Sequence, residues 1–195
     1  MAHAAIIDRE AAVNGDIFTN RVEINNTDLP LVAITGENGV VSREDLIRRD
    51  TSSEDKGSYL RVCPGDIGYN TMRMWQGVCG LSTIEGIVSP AYTIATPKEE
   101  VDGEFMALYF KSPPVIHLFR KHSQGLVDDT LNLKWRHFAE IKVTIPERQE
   151  QKAIASIFRT VDRETDLLSA QLNALKDQKK GLMQQILTGK RRVKV

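Results

Sequence analysis

The stretch Tyr69-Asn70-Thr71-Met72-Arg73-Met74-Trp75-Gln76-Gly77 gathers side chains able to read base edges. Arg can hold guanine through two hydrogen bonds, and Asn or Gln can do the same with adenine. Trp75 and the methionines serve either as wedges or as packing. Met72 and Met74 alternate as a buried strand would, and a Trp at this place fits a core. A second group is Asp128-Asp129 followed by Glu140-Ile141-Lys142, similar to the Asp…Glu-x-Lys arrangement of metal-dependent nucleases. That chemistry needs Asp129 and Glu140 converging on Mg²⁺ with Lys142 beside the attacking water. The spacing is loose, and a salt-bridged strand edge accounts for the same residues.

Other chemistry is missing. The chain has no Gly-rich phosphate loop of either common type. His3, His117, His122 and His137 do not take metal-ligand spacing with Cys63 or Cys79, so no metal site is expected. Ser112-Pro113-Pro114-Val115 and Ser89-Pro90-Ala91-Tyr92 fail the Asn/Asp-Pro-Pro-aromatic pattern of DNA amino methyltransferases.

The elements that must position these residues fall into two parts. Residues 1–146 carry 15 basic and 20 acidic side chains, a net of −5, and residues 147–195 carry 11 and 6, a net of +5. The whole chain of 195 residues is therefore neutral, with 41% hydrophobic residues, which excludes a wholly disordered polymer. No apolar run approaches the roughly 20 residues that span a bilayer. Two isolated cysteines and an N-terminus without a secretory pattern point to a cytoplasmic protein. Overall neutrality argues at first against nucleic acid, because phosphate binding usually leaves a basic footprint.

Ile141-Lys142-Val143-Thr144-Ile145 alternates as a strand, and Pro146 closes it. A long helix is expected from about Glu147 to Thr188, stopped by Gly189. At about 1.5 Å per residue it would run roughly 60 Å. Its apolar residues repeat in heptads. Phe158, Thr165, Leu172, Lys179 and Ile186 share one position, and Val161, Leu168, Leu175 and Leu182 share the other. Such a two-position seam reads as a coiled coil seeking a partner helix. Gly181 weakens the helix near its end.

Before Pro146, short β-prone stretches at Leu31–Thr35, Tyr59–Val62, Asp66–Tyr69 and Tyr92–Ala95 are separated by turn residues such as Pro64-Gly65-Asp66 and Gly36-Glu37-Asn38-Gly39. Glu104–Lys111 and Pro114–His122 read as short helices. The expected fold class is α+β: one mixed domain over residues 1–146 with long loops, followed over residues 147–195 by the coiled-coil helix and a basic tail.

Ile141–Ala155, with Pro146 followed by Glu150-Gln151-Lys152-Ala153-Ile154-Ala155, resembles the junction in DNA specificity subunits of type I restriction–modification systems. Lys179–Lys190 is similar to that family's closing segment. Pro64–Asn70, Met72–Gly77, Ser89–Tyr92 and Gln124–Thr130 are similar to one branch of its target-recognition domains. The resemblance implies a non-catalytic DNA-recognition subunit. S-adenosylmethionine, ATP and Mg²⁺ would sit on partner methyltransferase and restriction/translocase subunits, and no cofactor is expected here. It places Asn70, Thr71, Arg73 and Gln76 near base edges or backbone, with Arg43, Lys56, Lys111, Lys121 and Lys134 as phosphate contacts. The family's full-length members carry two recognition domains and two long helices, whereas this chain has one of each. It therefore resembles a half subunit. Its implied partners are double-stranded DNA and a second copy, paired antiparallel through Phe158, Val161, Leu168, Leu172, Leu175, Leu182 and Ile186. Two alternatives stay open: a coiled-coil interaction or regulatory protein without a DNA role, and the metal-dependent nuclease.

Overall fold

The computed structural model describes residues 9–45 and 56–192, and the chain divides into two compact units at Ala153/Ile154. The first unit is built on short antiparallel strands. β1 (Arg9–Val13) is followed by a single helical turn, α1 (Asn14–Ile17), then β2 (Phe18–Asn20), β3 (Val32–Thr35) and β4 (Gly39–Ser42). After the undescribed segment come β5 (Leu60–Val62), β6 (Ile67–Asn70), β7 (Cys79–Leu81), β8 (Gly86–Val88) and β9 (Tyr92–Pro97). Three helices close the unit: α2 (Gly103–Tyr109), α3 (Pro113–His122) and α4 (Trp135–Ala139). The strand β10 (Lys142–Pro146) then leads into α5 (Arg148–Leu187).

The main sheet has the order β2-β9-β6-β7, all antiparallel, and three two-stranded ribbons surround it: β1–β10, β3–β4 and β5–β8. The β3–β4 hairpin turns where expected. Thr35 takes the amide of Asn38 on its hydroxyl at 3.0 Å, and Gly39 supplies a left-handed φ of 63°. A Cβ on Gly80 would lie 2.3 Å from the Cα of Gly39, so this hairpin can approach β7 only because residue 80 is glycine. Val32, Ile34, Val40, Val62, Val88 and Ile94 form the aliphatic core between these strands.

A second, aromatic core centres on Phe138 of α4. Its ring lies 5.2 Å from Tyr69, 5.6 Å from Phe110, 5.9 Å from Phe18 and 6.1 Å from Phe119. These rings come from β2, β6, the end of α2, α3 and α4, so one cluster ties the sheet to the helices. β10 keeps the alternation read from sequence, with Val143 and Ile145 buried and Lys142 and Thr144 exposed, one residue later than expected at its start. α2 begins one residue earlier than expected because Asp102 caps it, accepting the amide of Phe105 at 3.0 Å. It also ends earlier, at Tyr109 rather than Lys111.

In the second unit, which begins at Ile154, α5 continues to Leu187 as an unbroken helix of 40 residues in all. Gly181 interrupts nothing, since a penalty of about 1 kcal/mol is small against the run of good helix formers around it. Among the described residues, no helix is long and apolar enough to cross a membrane.

Candidate nucleic-acid interface

The stretch 71–77 is held by the strand that precedes it. Asp66, 1% exposed, immediately precedes β6 and accepts from Arg21 Nε at 2.8 Å, the Cys63 amide at 2.7 Å and the Thr96 hydroxyl at 2.6 Å. The Asp66 carboxylate holds the Arg21 guanidinium pKa above its usual value. β6 ends at Asn70, whose Oδ1 accepts the Met72 amide at 3.0 Å and starts a turn.

The turn then folds inward and outward by residue. Thr71 donates its hydroxyl to Ala91 O at 2.9 Å, and its own carbonyl accepts the Leu133 amide at 2.8 Å. Thr71 is thus buried and positions the loop; it is not offered at the surface as its residue type suggested. Met74 is wholly buried and Met72 exposed, but not as neighbours on a strand. Residues 74–76 make a tight helical turn ended by Gly77 at φ 76°, where a Cβ would press on Ile116 of α3. Trp75 is half-buried instead of core, donating Nε1–H to Met72 O at 3.0 Å. This leaves Arg73 and Gln76 exposed, and neither side chain has a partner among the described residues.

Two further stretches join this turn. The Arg120 guanidinium lies 5.3 Å from the centre of the Trp75 ring and pairs with Asp128 at 2.7 Å. Lys121 stands exposed beside it at the end of α3. Lys134, also exposed, follows Leu133, whose amide is bonded to Thr71. Gln124 and Asn132 pair as a short antiparallel bridge, closing a loop whose tip, Leu126, is fully exposed. Sequence reasoning missed Arg120, Leu126 and this closure; the Gln124–Thr130 similarity was the available signal.

The other expected phosphate contacts lie elsewhere. Lys111 spends its ammonium on Gly36 O at 3.1 Å, beside an open cleft of about 570 Å³ lined by Thr35, Asn38, Asn70 and Tyr92. Arg43 and Lys56 are half-buried. Of the nuclease residues, Asp129 and Lys142 are exposed, and Glu140 lies 4.0 Å from His137 Nδ1. Among the described residues no group of three or more His, Cys, Asp or Glu could hold a metal ion. Both cysteines are free; burial pushes the Cys79 thiol up to about 12.

One buried polar residue entered the sequence reading only as a member of the Glu150–Ala155 motif, without its packing role. Gln151, 1% exposed, donates to Pro146 O at 2.8 Å and accepts the Asp102 amide at 2.8 Å. It pins the first turn of α5 to the end of β10 and the cap of α2. Beyond it, Phe158, Val161, Leu168, Leu172, Leu175, Leu182 and Ile186 are all between 37% and 62% exposed, an apolar seam left in solvent.

Residues 10–177 match the family model described as the type I restriction modification DNA specificity domain. No curated protein sequence matches the chain. Among solved structures, it is similar to the S subunit of a type I restriction–modification system from M. genitalium, with a TM-score of 0.57 and 14% identity. The match covers 95% of this chain and 47% of that one. A structure of the type I system reported for its complex assembly and conformational transition gives a TM-score of 0.58 and 12% identity, over 96% and 47%. The S subunit from Thermoanaerobacter tengcongensis gives 0.50 and 9%, over 86% and 41%. At these identities the likeness concerns the fold. The chain spans about half the length of the solved structures it matches.

Proposed function

The chain belongs to the type I restriction–modification DNA specificity family, and from that premise we propose that it selects DNA sites for partner subunits and does no chemistry itself. The observation that carries this is the exposed Arg73 and Gln76, unpaired among the described residues and displayed on a turn that Asp66, Thr71 and Gly77 hold in place. Base contacts would come from Arg73, Gln76 and Asn70, with Lys121 and Lys134 on phosphates. Two copies would pair antiparallel through the α5 seam and read an inverted repeat with an unread gap, since operator symmetry mirrors protein symmetry. Methylation and cleavage would belong to the methyltransferase and translocase subunits in the cytoplasm, with S-adenosylmethionine, ATP and Mg²⁺ bound there.

The neutral total charge fits this division of labour. A recognition half of −5 grips phosphate poorly alone, so binding by the isolated chain should be weak and salt-sensitive, and tight only in the assembled complex. Selection from random duplexes by the chain with its methyltransferase subunit tests the reading. Enrichment of one sequence, with affinity falling as salt rises, supports it. A seam that dimerises while no sequence is enriched would leave a coiled-coil interaction protein and remove the DNA role.

A further inference from the structure

The homodimer proposed above, on which this inference rests, leaves open where along α5 the two copies cross. The charges beside the seam fix that point. α5 is continuous through all the seam residues, and its apolar members are exposed along their whole length. Thr165, a polar member, donates its hydroxyl to Val161 O at 2.9 Å. That bond satisfies the hydroxyl within the helix and leaves the methyl for the seam. Lys179 is the charged member. A parallel pair would set Lys179 against its own counterpart, like charge against like charge in the closing layer. An antiparallel pair sets each residue of one seam position against one of the other, so Lys179 meets an apolar residue along its aliphatic stem.

We propose that α5 is self-complementary for a second copy in one antiparallel register, centred on Ala170. In it Leu168 faces Leu172 of the second copy, Thr165 faces Leu175, Val161 faces Lys179 and Phe158 faces Leu182. The same register brings Asp162, flanking the seam, beside Lys176 of the second copy, and the two-fold axis makes that pair twice. Both side chains are exposed and unpaired among the described residues. Sliding by one heptad in either direction sets Lys176 against Ala155 or Ser169 and Asp162 against Ser169 or Met183. Both ion pairs are then lost. The favoured register holds the two Ile154 residues about 48 Å apart, and each slip would change that by about 10 Å at 1.5 Å per residue. A slip equals about three base pairs at 3.4 Å each. The register therefore sets the spacing from which the recognition units are carried.

In this register Ser169 flanks the axis beside its own counterpart. Mild oxidation of the full-length Ser169→Cys variant should yield a disulfide dimer whose linked peptide, found by mass spectrometry, joins position 169 to position 169. Lys176→Glu should weaken the dimer by about tenfold in sedimentation, and adding Asp162→Lys should restore it, two flanking pairs being inverted and then rebuilt. A wild-type chain that stays monomeric at micromolar concentration overturns the homodimer and this register together. A dimer that fails to cross-link at position 169, or that the double variant fails to restore, overturns the register alone.

Discussion

Replacing Asp66 by Ala removes a buried carboxylate that accepts from Arg21 at 2.8 and 3.3 Å, from the Cys63 amide at 2.7 Å and from the Thr96 hydroxyl at 2.6 Å. Deleting one partner of a buried ion pair costs about 3–5 kcal/mol, because the other charge is left uncompensated. Arg21 is 22% exposed and keeps Glu23 as a partner. Its share therefore falls to about 2–3 kcal/mol. The stranded Cys63 amide and Thr96 hydroxyl add about 1 kcal/mol each. The total of about 4–5 kcal/mol corresponds to a Tm lowered by about 8–20 °C for a chain of this size. Urea and thermal unfolding followed by circular dichroism, on the full chain, measure it directly. Asp66→Asn, which keeps an acceptor for Thr96 while losing the charge, should fall between Ala and the parent. A loss below about 1 kcal/mol for Asp66→Ala would mean that this network does not anchor β6 and the turn it carries.

Arg73→Ala should leave stability unchanged, since its side chain is exposed and has no partner among the described residues, yet cost about 1–3 kcal/mol of discrimination at one base position in a randomised-site selection. Gln151→Ala strands the Asp102 amide and the Pro146 carbonyl, and should cost about 2 kcal/mol in urea unfolding. Cys79 should resist thiol reagents in the native state near neutral pH, because burial raises its pKa from 9.0 to about 12. A raised folded pKa gives stability that is complete below about 9 and lost as pH climbs toward 12. Unfolding midpoints across that window should fall less steeply in Cys79→Ala.

α5 was legible because helix formers and a heptad seam run on for 40 residues, long enough for a period to declare itself. β10 was legible for the same reason at period two. The main sheet was legible only in part: β6 and β9 fall on the β-prone stretches Asp66–Tyr69 and Tyr92–Ala95, whereas its outer strands β2 and β7 gave no signal. β2 and β7 have three residues each, too few to show a period, and β1 pairs with β10 across most of the unit. Nor does any local signal say that Phe18, Phe110, Phe119 and Phe138 share one core. At the interface, residue type located the stretch 69–77 but not its directions. The Met72/Met74 alternation suggested a strand, whereas a tight turn puts one methionine in and the other out. Thr71 points inward because Ala91 O, far away in sequence, claims its hydroxyl. Arg120 joined the interface only through Trp75, a contact no spacing rule contains.

In the proposed dimer, two copies of one recognition unit read the same half-site in opposite directions. Base-resolution mapping of methylated sites in cells that express this chain with its methyltransferase subunit tests it most directly. A single inverted repeat with a fixed unread gap is expected. Two unrelated half-sites, or methylation independent of sequence, would contradict it.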